Sequence, residues 1–369
     1  MKWIWEHHDW PEFTYDAARF NDFERTFHRN AGLIIGSLST ISLDEVDELR
    51  VALLSNEALD TSKIEGEILD RDSVQSSIRK HLGLQTDDRK VGPKENGASS
   101  MMVDLYKRYQ ESLTEDRLFA WHQMILNGRM DIEVGSYRTH PEPMQIVSGR
   151  LDMPKVFYQA PPSSQVPEEM SRFVDWYNQA VSNDMPTVIH TGIAHLYFEL
   201  IHPFEDGNGR IGRAIAEKSL AMGARQSLVT SLSTTIERDK KAYYHALERA
   251  NMSLDITEWL IYFSERILEA QLHVQKMITF ILDKARFFEK HKGQLNQRQN
   301  KVALRMFREG VDGFKGGLSA ENYIRIAATS RATATRDLAE MVETGALRKT
   351  GKLRHTRYHL PFFETTSEG

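Results

Sequence analysis

The sequence predicts a mainly α-helical protein with a short β-hairpin in its central part and a second hairpin near its C-terminal end. Apolar residues recur at helical spacing through most of the chain, as in Ile193, Leu196 and Leu200. Patterns typical of strands occur at residues 144–149 and 348–360. The chain has 369 residues, which is enough for two or three domains at the usual ~100–200 residues each.

The composition excludes several classes of protein. The chain contains no Cys, so it has no disulfide framework and no thiolate chemistry. Residues 1–11 are aromatic and charged and lack the apolar core of a signal peptide, and no apolar run approaches the ~20 residues that span a bilayer. We therefore expect a cytoplasmic protein with no membrane partner.

The N-terminal third is predicted to be helical. Aromatic side chains between Trp3 and Phe27 are interpreted as anchors onto the rest of the protein, with base stacking as the alternative. Ser42 and Glu45 form a capping box at the start of one helix. Residues 85–99 are polar, contain Gly and Pro, and predict a loop. The helices are expected at residues 15–38, 42–60, 68–82, 100–111, 115–127 and 168–181.

The segment from His202 to Arg213 concentrates chemical groups in twelve positions and reads His-Pro-Phe-Glu-Asp-Gly-Asn-Gly-Arg-Ile-Gly-Arg. Pro203 ends the preceding helix because it lacks an N–H and clashes with the previous turn. Gly207 and Gly209 permit a tight turn into a second helix. The N–H groups and the dipole at the start of that helix favour anions, phosphates above all.

The polar residues of this segment suit a phosphate ester. Arg210 and Arg213 are three apart, so they share a helix face and can hold a chain of phosphates. Asp206 offers the hard oxygen ligand that a magnesium ion prefers. His202 is the residue type that accepts a proton near neutral pH. Residue by residue, the alternative is a structural histidine followed by an ordinary helix-turn-helix connection.

The segment resembles the signature of the Fic family, His-Pro-Phe-x-(Asp/Glu)-Gly-Asn-Gly-Arg-x-x-Arg, and matches it at every fixed position. The resemblance implies a Fic-type helical core that transfers AMP from ATP to a Ser, Thr or Tyr hydroxyl of a target protein. It also implies that His202 is the catalytic base and that Asp206 holds Mg²⁺. The positions that it assigns to the ATP phosphates are Gly207, Asn208, Gly209, Arg210, Ile211, Gly212 and Arg213.

A second, shorter motif lies upstream, where Thr61, Glu65 and Gly66 follow a predicted helix. A carboxylate at a helix C-terminus is mildly unfavourable unless a cation receives it. The motif resembles the inhibitory sequence of Fic proteins, (Ser/Thr)-x-x-x-Glu-(Gly/Asn). The resemblance implies an N-terminal inhibitory helix whose Glu65 pairs with Arg213 and misaligns the ATP. A surface glutamate is the alternative.

Two further regions complete the expected site. Residues 144–149 have strand formers and a turn signal, and the resemblance implies a flap that binds an extended target segment by strand addition. The flap residues are Gln145, Ile146, Val147 and Ser148. Downstream, the Tyr-Tyr-x-x-Leu-x-x-Ala-Asn pattern resembles the base-binding helix of Fic proteins. It implies that Tyr243, Tyr244 and Asn251 contact adenine or ribose, with core packing of either tyrosine as the alternative.

His190 and His195 precede His202 by twelve and seven residues. These spacings differ from the i, i+4 pair of helical zinc sites, so we do not expect the three histidines to bind a metal. A long helix is expected at residues 256–288.

The C-terminal part is basic. Residues 290–360 contain fifteen Lys or Arg and six Asp or Glu, whereas the whole chain has a net charge of −5. The order of helices and hairpin resembles a winged helix-turn-helix domain, with a recognition helix at 330–344 and a wing at 348–360. Suitable DNA-contacting residues are Arg331, Thr333, Thr335 and Arg336. Protein binding or a regulatory lid is the alternative for this domain.

These inferences define four regions. They are an N-terminal helical region with the inhibitory motif (1–95), a Fic core (96–275), a helical connector (276–294) and the winged helix (295–362). The expected activity is protein adenylylation that Glu65 inhibits. The alternatives are AMP removal at the same site and a DNA-binding regulator that only senses ATP. The target protein and the oligomeric state stay open, a homodimer included.

Overall fold

A computed structural model describes residues 2–87, 89–150, 153–226, 230–311, 313–314 and 316–362. The chain forms two compact units, Met1–Val274 and Gln275–Gly369. The prediction of a mainly helical protein is confirmed, with strands limited in the described residues to two hairpins. Within that described part, no helix combines the length and apolar character needed to cross a bilayer.

The first unit begins with five helices. Ser42 accepts from the N–H of Glu45, and the Glu45 carboxylate accepts from the N–H of Ser42, so the predicted capping box is present. The predicted loop at 85–99 is wrong in its second half, because Pro93 occupies the first turn of a helix, where its missing N–H costs nothing. The helices are α1 (Asn21–Leu38), α2 (Leu43–Ile64), α3 (Arg71–Leu82), α4 (Pro93–Arg108) and α5 (Glu115–Ile125).

A hairpin and six helices follow. Strands β1 (Gln145–Arg150) and β2 (Met153–Gln159) pair antiparallel, with Ile146 opposite Tyr158 and a register shift between Ile146 and Val147. The helices are α6 (Val166–Ser182), α7 (Thr187–Ile201), α8 (Asn208–Gly223), α9 (Leu232–Arg238), α10 (Lys240–Ala250) and α11 (Thr257–Lys290).

Helix α7 lies at the centre of the first unit, and every one of its residues is buried. Its sequence is apolar on all sides, which is typical of a helix surrounded by other elements. The N-terminal aromatic residues pack on it, since the rings of Trp10 and Phe13 lie 5.2 and 5.6 Å from that of Tyr197. Helix α8 is buried over most of its length. The loop between α7 and α8 is therefore held from both sides by the core.

In the described residues, the second unit contains the C-terminal part of α11, three short α-helices and a hairpin. The short helices and strands are α12 (Gln297–Phe307), α13 (Ala320–Ala327), α14 (Arg331–Glu343), β3 (Arg348–Thr350) and β4 (Arg357–His359). Leu318 also forms a bridge to Tyr358 of β4. Asp337 is buried on α14, where Arg298 binds it at 2.9 Å and the Tyr323 hydroxyl donates to it at 3.0 Å. The unit has its own apolar core, which includes Val302, Leu338 and Leu360.

Candidate functional site

The connection between α7 and α8 forms the centre of the candidate site. His202 caps α7 in the left-handed conformation (φ 50°, ψ 60°), and its N–H donates to Phe198 O at 3.0 Å. The Asn208 side chain then closes the loop, because Oδ1 accepts from Phe204 N at 2.9 Å and Nδ2 donates to Phe204 O at 2.8 Å. Asn208 was expected to contact the ATP phosphates. Its side-chain amide instead holds the loop together through these two hydrogen bonds.

Two glycines at the start of α8 lie directly against neighbouring side chains. Gly207 has φ 87°, and a Cβ there would lie 2.9 Å from Ile125 Cδ1. A Cβ on Gly209 would lie 2.1 Å from the Glu65 carboxylate. The first N–H groups of a helix have no acceptor within the helix. The absence of side chains therefore keeps the anion-binding end of α8 open to a ligand or to Glu65.

His202 has the environment of a neutral base. Its Nδ1 lies 3.3 Å from the Glu199 carbonyl oxygen, which can only accept, so Nδ1 carries the proton and Nε2 keeps its lone pair. Burial lowers the pKa of His202 to about 4. The imidazole is therefore unprotonated at neutral pH and able to accept a proton.

Arg213 is fully enclosed and paired with the predicted inhibitory motif. Its Nε donates to Thr61 Oγ1 at 2.8 Å, and its Nη2 donates to Glu65 Oε1 at 2.7 Å. The side chain of Arg213 is 1% exposed and that of Glu65 is 32% exposed. Arg213 Nη1 is buried without a hydrogen-bond partner among the described residues, which leaves one donor for a further acceptor.

Three buried polar groups lie beneath the first turn of α8. A Cβ on Gly212 would lie 2.5 Å from Glu199 Oε1 and 3.2 Å from the His195 ring. His195 Nε2 is 2.8 Å from the Tyr243 hydroxyl, and burial lowers the pKa of His195 to about 3. Burial raises the pKa of Glu199 to about 8, so this carboxyl is mostly protonated at neutral pH. The carboxylate that forms an ion pair with Arg213 is that of Glu65, at 2.7 Å.

Arg210 has a carboxylate partner of its own. Its Nη1 lies 2.9 Å from Glu67 Oε2, and the other oxygen of Glu67 lies 2.8 Å from Lys94 Nζ. The sequence reasoning did not single out Glu67, because it stands outside the recognised motif. Arg210 and Arg213 are therefore each paired with a glutamate that follows α2.

Asp206 lies at the outer end of the loop. Its Oδ1 accepts from Gly207 N at 2.6 Å, and its Oδ2 lies 2.9 Å from Arg129 Nη1. No cluster of three or more His, Asp or Glu suited to a metal occurs among the residues that the structure describes. A magnesium ion typically binds proteins through one or two carboxylates together with substrate phosphates. The half-exposed Asp206 beside the start of α8 fits that arrangement.

Of the residues predicted to contact the base, Tyr244 alone is substantially exposed, at 43%. Tyr243 is buried and bonded to His195, so the core-packing alternative holds for Tyr243. The Tyr244 hydroxyl donates to Ile64 O at 3.3 Å. Asn251 is buried, and its Nδ2 donates to Phe157 O on β2 at 3.0 Å. Tyr243 and Tyr244 lie on α10 and Asn251 caps its C-terminus, but the three side chains face different surroundings.

The predicted flap is the β1–β2 hairpin. Its base is tied to the site, because the Tyr158 hydroxyl donates to Leu200 O in the last turn of α7 at 2.6 Å. Gln145 and Ile146 are exposed, and Ile146 is 40% exposed. The side chains of Val147 and Ser148 lie outside the described part of the structure. Within that part, the hairpin is a sheet of two strands.

Two residues outside the recognised motifs also support the site. Arg138 is buried, and its guanidinium donates to His202 O at 2.8 Å and to Ser163 Oγ at 2.8 Å. His122 accepts from Gly135 N at 2.9 Å and its Nε2 lies 3.1 Å from Asp206 O. Both contacts join residues that are far apart in sequence, so no local pattern indicates them.

Together these features define an α-helical domain with a helix start whose free N–H groups suit an anion, a neutral histidine at its rim and two paired arginines. Residues 112–220 match the family model described as "Fic/DOC family". Residues 3–84 match the model described as "Domain of unknown function (DUF4172)". Residues 112–220 of the chain are therefore similar to the Fic/DOC domain.

Named relatives match part of this chain. The "Protein adenylyltransferase fic-1" of Caenorhabditis elegans is 26% identical over 148 residues, which are 40% of this chain and 26% of that protein. The "Protein adenylyltransferase Fic" of Nematostella vectensis is 27% identical over 169 residues, 44% of this chain and 35% of that protein. The aligned region thus spans about a quarter to a third of these relatives.

A crystal structure described as a Fic family protein from Desulfovibrio desulfuricans has a TM-score of 0.52 at 22% identity. The match covers 96% of this chain and 99% of that one. A Fic domain containing signaling protein from Bacteroides thetaiotaomicron has a TM-score of 0.50 at 18% identity, with 70% and 97% of the two chains covered. At these identities the likeness concerns the fold alone.

Proposed function

We propose that the chain transfers AMP from ATP to a hydroxyl group of a protein. The acceptor oxygen attacks the α-phosphorus, the bond from that phosphorus to the bridging oxygen of the β-phosphate breaks, and pyrophosphate leaves. His202 Nε2 takes the hydroxyl proton. A pKa of about 4 leaves this nitrogen unprotonated at neutral pH, as the step requires.

The first turn of α8 would hold the phosphates. Its N–H groups, Arg210 and Arg213 supply positive charge on one side of the loop. Asp206 is the residue that would hold a magnesium ion, and that ion supplies neutralisation of the phosphate charge when it is bound. The exposed edge of the β1–β2 hairpin offers backbone groups to an extended acceptor segment.

The observation that carries the proposal is the ion pair between Glu65 and Arg213. Glu65 places a carboxylate against a buried guanidinium at the end of the anion-binding turn. A γ-phosphate that reached Arg213 would meet this carboxylate, and like charges at that distance repel. We therefore propose that Glu65 holds the resting enzyme in a low-activity state.

Transfer of label from α-labelled ATP to protein tests the reaction, with magnesium present and with cell lysate as a source of targets. We expect weak labelling by the natural chain, at least tenfold more by Glu65→Gly, and none by Glu65→Gly combined with His202→Ala. Glu237→Gln is the control, because Glu237 on α9 pairs with exposed Lys63 in the last turn of α2, which directly precedes Glu65. Absence of label in every variant would refute transfer. Release of AMP from labelled protein would instead favour AMP removal.

A second proposal concerns the second unit, for which we propose binding to duplex DNA. The outer face of α14 presents Arg331, Thr335 and Arg336 together with alanines, and its one buried acid, Asp337, is paired inside. Among the described residues, Arg331, Arg336, Lys349 and Lys352 form no ion pair. The unpaired cations on α14 and on the hairpin that follows it can contact DNA phosphates. The small residues on the outer face of α14 allow this helix to enter a groove of the duplex.

Fluorescence anisotropy with a labelled duplex of about 25 base pairs tests this second proposal on the full chain. We expect affinity to fall steeply with salt, since each phosphate contact releases counterions. Arg331→Ala with Arg336→Ala should weaken binding about tenfold. Arg286→Ala with Lys292→Ala is the matched control, because it removes the same charge from residues that are paired with Asp283 and Glu289. An affinity independent of salt, or equal losses in both double variants, would contradict it.

A further inference from the structure

Glu67 has a position that suits a regulator of nucleotide binding. Helix α2 ends in a turn where Gly66 has φ 82°, Gly66 N donates to Lys63 O at 3.0 Å and Glu67 N donates to Ser62 O at 2.9 Å. This pair of backbone hydrogen bonds is the Schellman motif, which fixes the direction of the chain after a helix. The turn therefore places Glu65 and Glu67, which are two positions apart, against two arginines that are three apart on α8.

The contacts of Glu67 are those of a bridging carboxylate. One oxygen binds Arg210 at 2.9 Å and the other binds Lys94 at 2.8 Å. The side chains of Arg210 and Glu67 are 7% and 22% exposed, whereas Lys94 is 64% exposed. Arg210 Nε is buried without a hydrogen-bond partner among the described residues. Glu67 is consequently the carboxylate that neutralises the guanidinium of Arg210 most closely.

We propose that Glu67 is a second inhibitory residue, which lowers the affinity of the site for nucleoside triphosphate by occupying Arg210. This inference rests on the proposed nucleotide site. It differs from the role proposed for Glu65, since Glu65 blocks the end of the phosphate chain and Glu67 competes for the cation beside the turn. Phosphate oxygens that bind Arg210 displace Glu67. The displaced Glu67 carboxylate then stays paired with Lys94.

The size of the effect follows from the exposure of the pair. A tethered carboxylate is a competitor at high effective concentration, so removing its charge raises the apparent affinity of the ligand. Fully exposed ion pairs contribute little and enclosed pairs contribute several times more. For a pair with one enclosed and one partly exposed member, we expect Glu67→Gln to bind nucleotide roughly 3- to 10-fold more tightly.

The same geometry predicts an opposite effect at Lys94. Without Lys94, the displaced Glu67 has no second cation, so the exchange becomes less favourable. We expect Lys94→Met to bind nucleotide more weakly than the natural chain. The effect of Lys94→Met should disappear in the Glu67→Gln background, because the neutral side chain of that variant does not need a cation when the nucleotide displaces it.

Isothermal titration of the full chain with magnesium and a non-hydrolysable ATP analogue tests the inference. The set consists of Glu67→Gln, Lys94→Met, their combination, Glu65→Gly and the control Glu237→Gln, each with its thermal midpoint recorded. Tighter binding by Glu67→Gln and unchanged binding by Glu237→Gln are the expected results. Binding that is unchanged or weaker in folded Glu67→Gln, while Glu65→Gly binds, would overturn the role of Glu67 alone.

Failure of the underlying function has a different signature. If no variant, Glu65→Gly included, binds the analogue, then the proposed nucleotide site itself is wrong. If Lys94→Met weakens binding equally in the Glu67→Gln background, Lys94 acts through its own charge and the proposed exchange of partners is refuted.

Discussion

The candidate site has an inner end, formed by Arg213, Thr61 and Glu65, and a mouth, formed by Asp206 and Arg129. These two ends differ in how their charges are neutralised. At the inner end, Arg213 is 1% exposed and contacts Thr61 and Glu65. At the mouth, Asp206 and Arg129 are 41% and 38% exposed. Breaking an enclosed pair leaves a charge without water, whereas water readily replaces an exposed partner. From this difference we expect that the inner end determines whether the proposed site is open, and that the mouth exchanges partners at little cost.

The largest expected effect is that of Arg138→Met, which removes the support of His202 behind the inner end. The guanidinium of Arg138 donates hydrogen bonds to His202 O, to Ser163 Oγ and to two further carbonyl oxygens. In Arg138→Met all four acceptors lose this donor. We expect a loss of about 3 kcal/mol, or a fall of roughly 6–12 °C in the thermal midpoint of the first unit. Label transfer should fall at least tenfold at temperatures where the variant is folded.

Arg19→Met is the control for this loss, because the Arg19 side chain is 49% exposed and pairs with exposed Glu258. Its midpoint should move by less than ~2 °C. A comparable loss in both variants would show that enclosure of the guanidinium is not what makes Arg138 important.

The inner end should also make the first unit sensitive to acid through His195. Burial lowers the pKa of this histidine from its ordinary value of 6.5 to about 3, so between these pH values the unfolded chain binds a proton that the folded chain does not. The stability that neutral His195 contributes to the first unit is fully present above pH 6.5 and is lost as the pH falls towards 3. One proton corresponds to a slope of ~1.4 kcal/mol per pH unit. Thermal midpoints between pH 7 and 5 should therefore fall less steeply in His195→Gln than in the natural chain. An equally steep fall would contradict the assignment.

A smaller effect is expected for Thr61→Val, which preserves shape but removes the acceptor of Arg213 Nε. A buried donor left without its partner costs ~1–3 kcal/mol. The thermal midpoint of the first unit should drop by a few degrees. Thr40→Val is the comparison, since Thr40 is exposed and its hydroxyl donates to a carbonyl within the same turn. Equal thermal midpoints for the two variants would show that the hydrogen bond from Arg213 to Thr61 does not stabilise the inner end.

Local sequence was sufficient for the parts of the fold that local chemistry determines. The capping box of Ser42 and Glu45 and the end of α7 before Pro203 depend on neighbouring residues, and both occur where they were predicted. The start of α4 at Pro93 was missed because Gly-Pro followed by polar residues also reads as a loop. The two adjacent tyrosines could not be separated, because their faces are decided by what packs on α10.

The contacts that neutralise the site were beyond sequence reasoning for a physical reason. Arg210 and Glu67 are 143 positions apart, and Asp206 and Arg129 are 77 apart. Such pairs depend on how helices and loops pack, and no periodicity encodes them. The motifs therefore predicted which residues are chemically able to act, whereas the structure indicates what restrains each of them.

The smallest expected effect lies at the mouth. Arg129→Gln removes a guanidinium that contacts Asp206 at 2.9 Å and also pairs with exposed Asp131. Since both partners face water, stability should change by less than ~1 kcal/mol. If Asp206 holds magnesium, loss of the competing cation should lower the magnesium concentration for half-maximal binding of an ATP analogue by ~2- to 5-fold. Lys2→Gln, which removes one exposed charge elsewhere, should leave this concentration unchanged. A change as large as that of Glu65→Gly would show that the mouth, too, restrains the site, and that enclosure is not what separates the two ends.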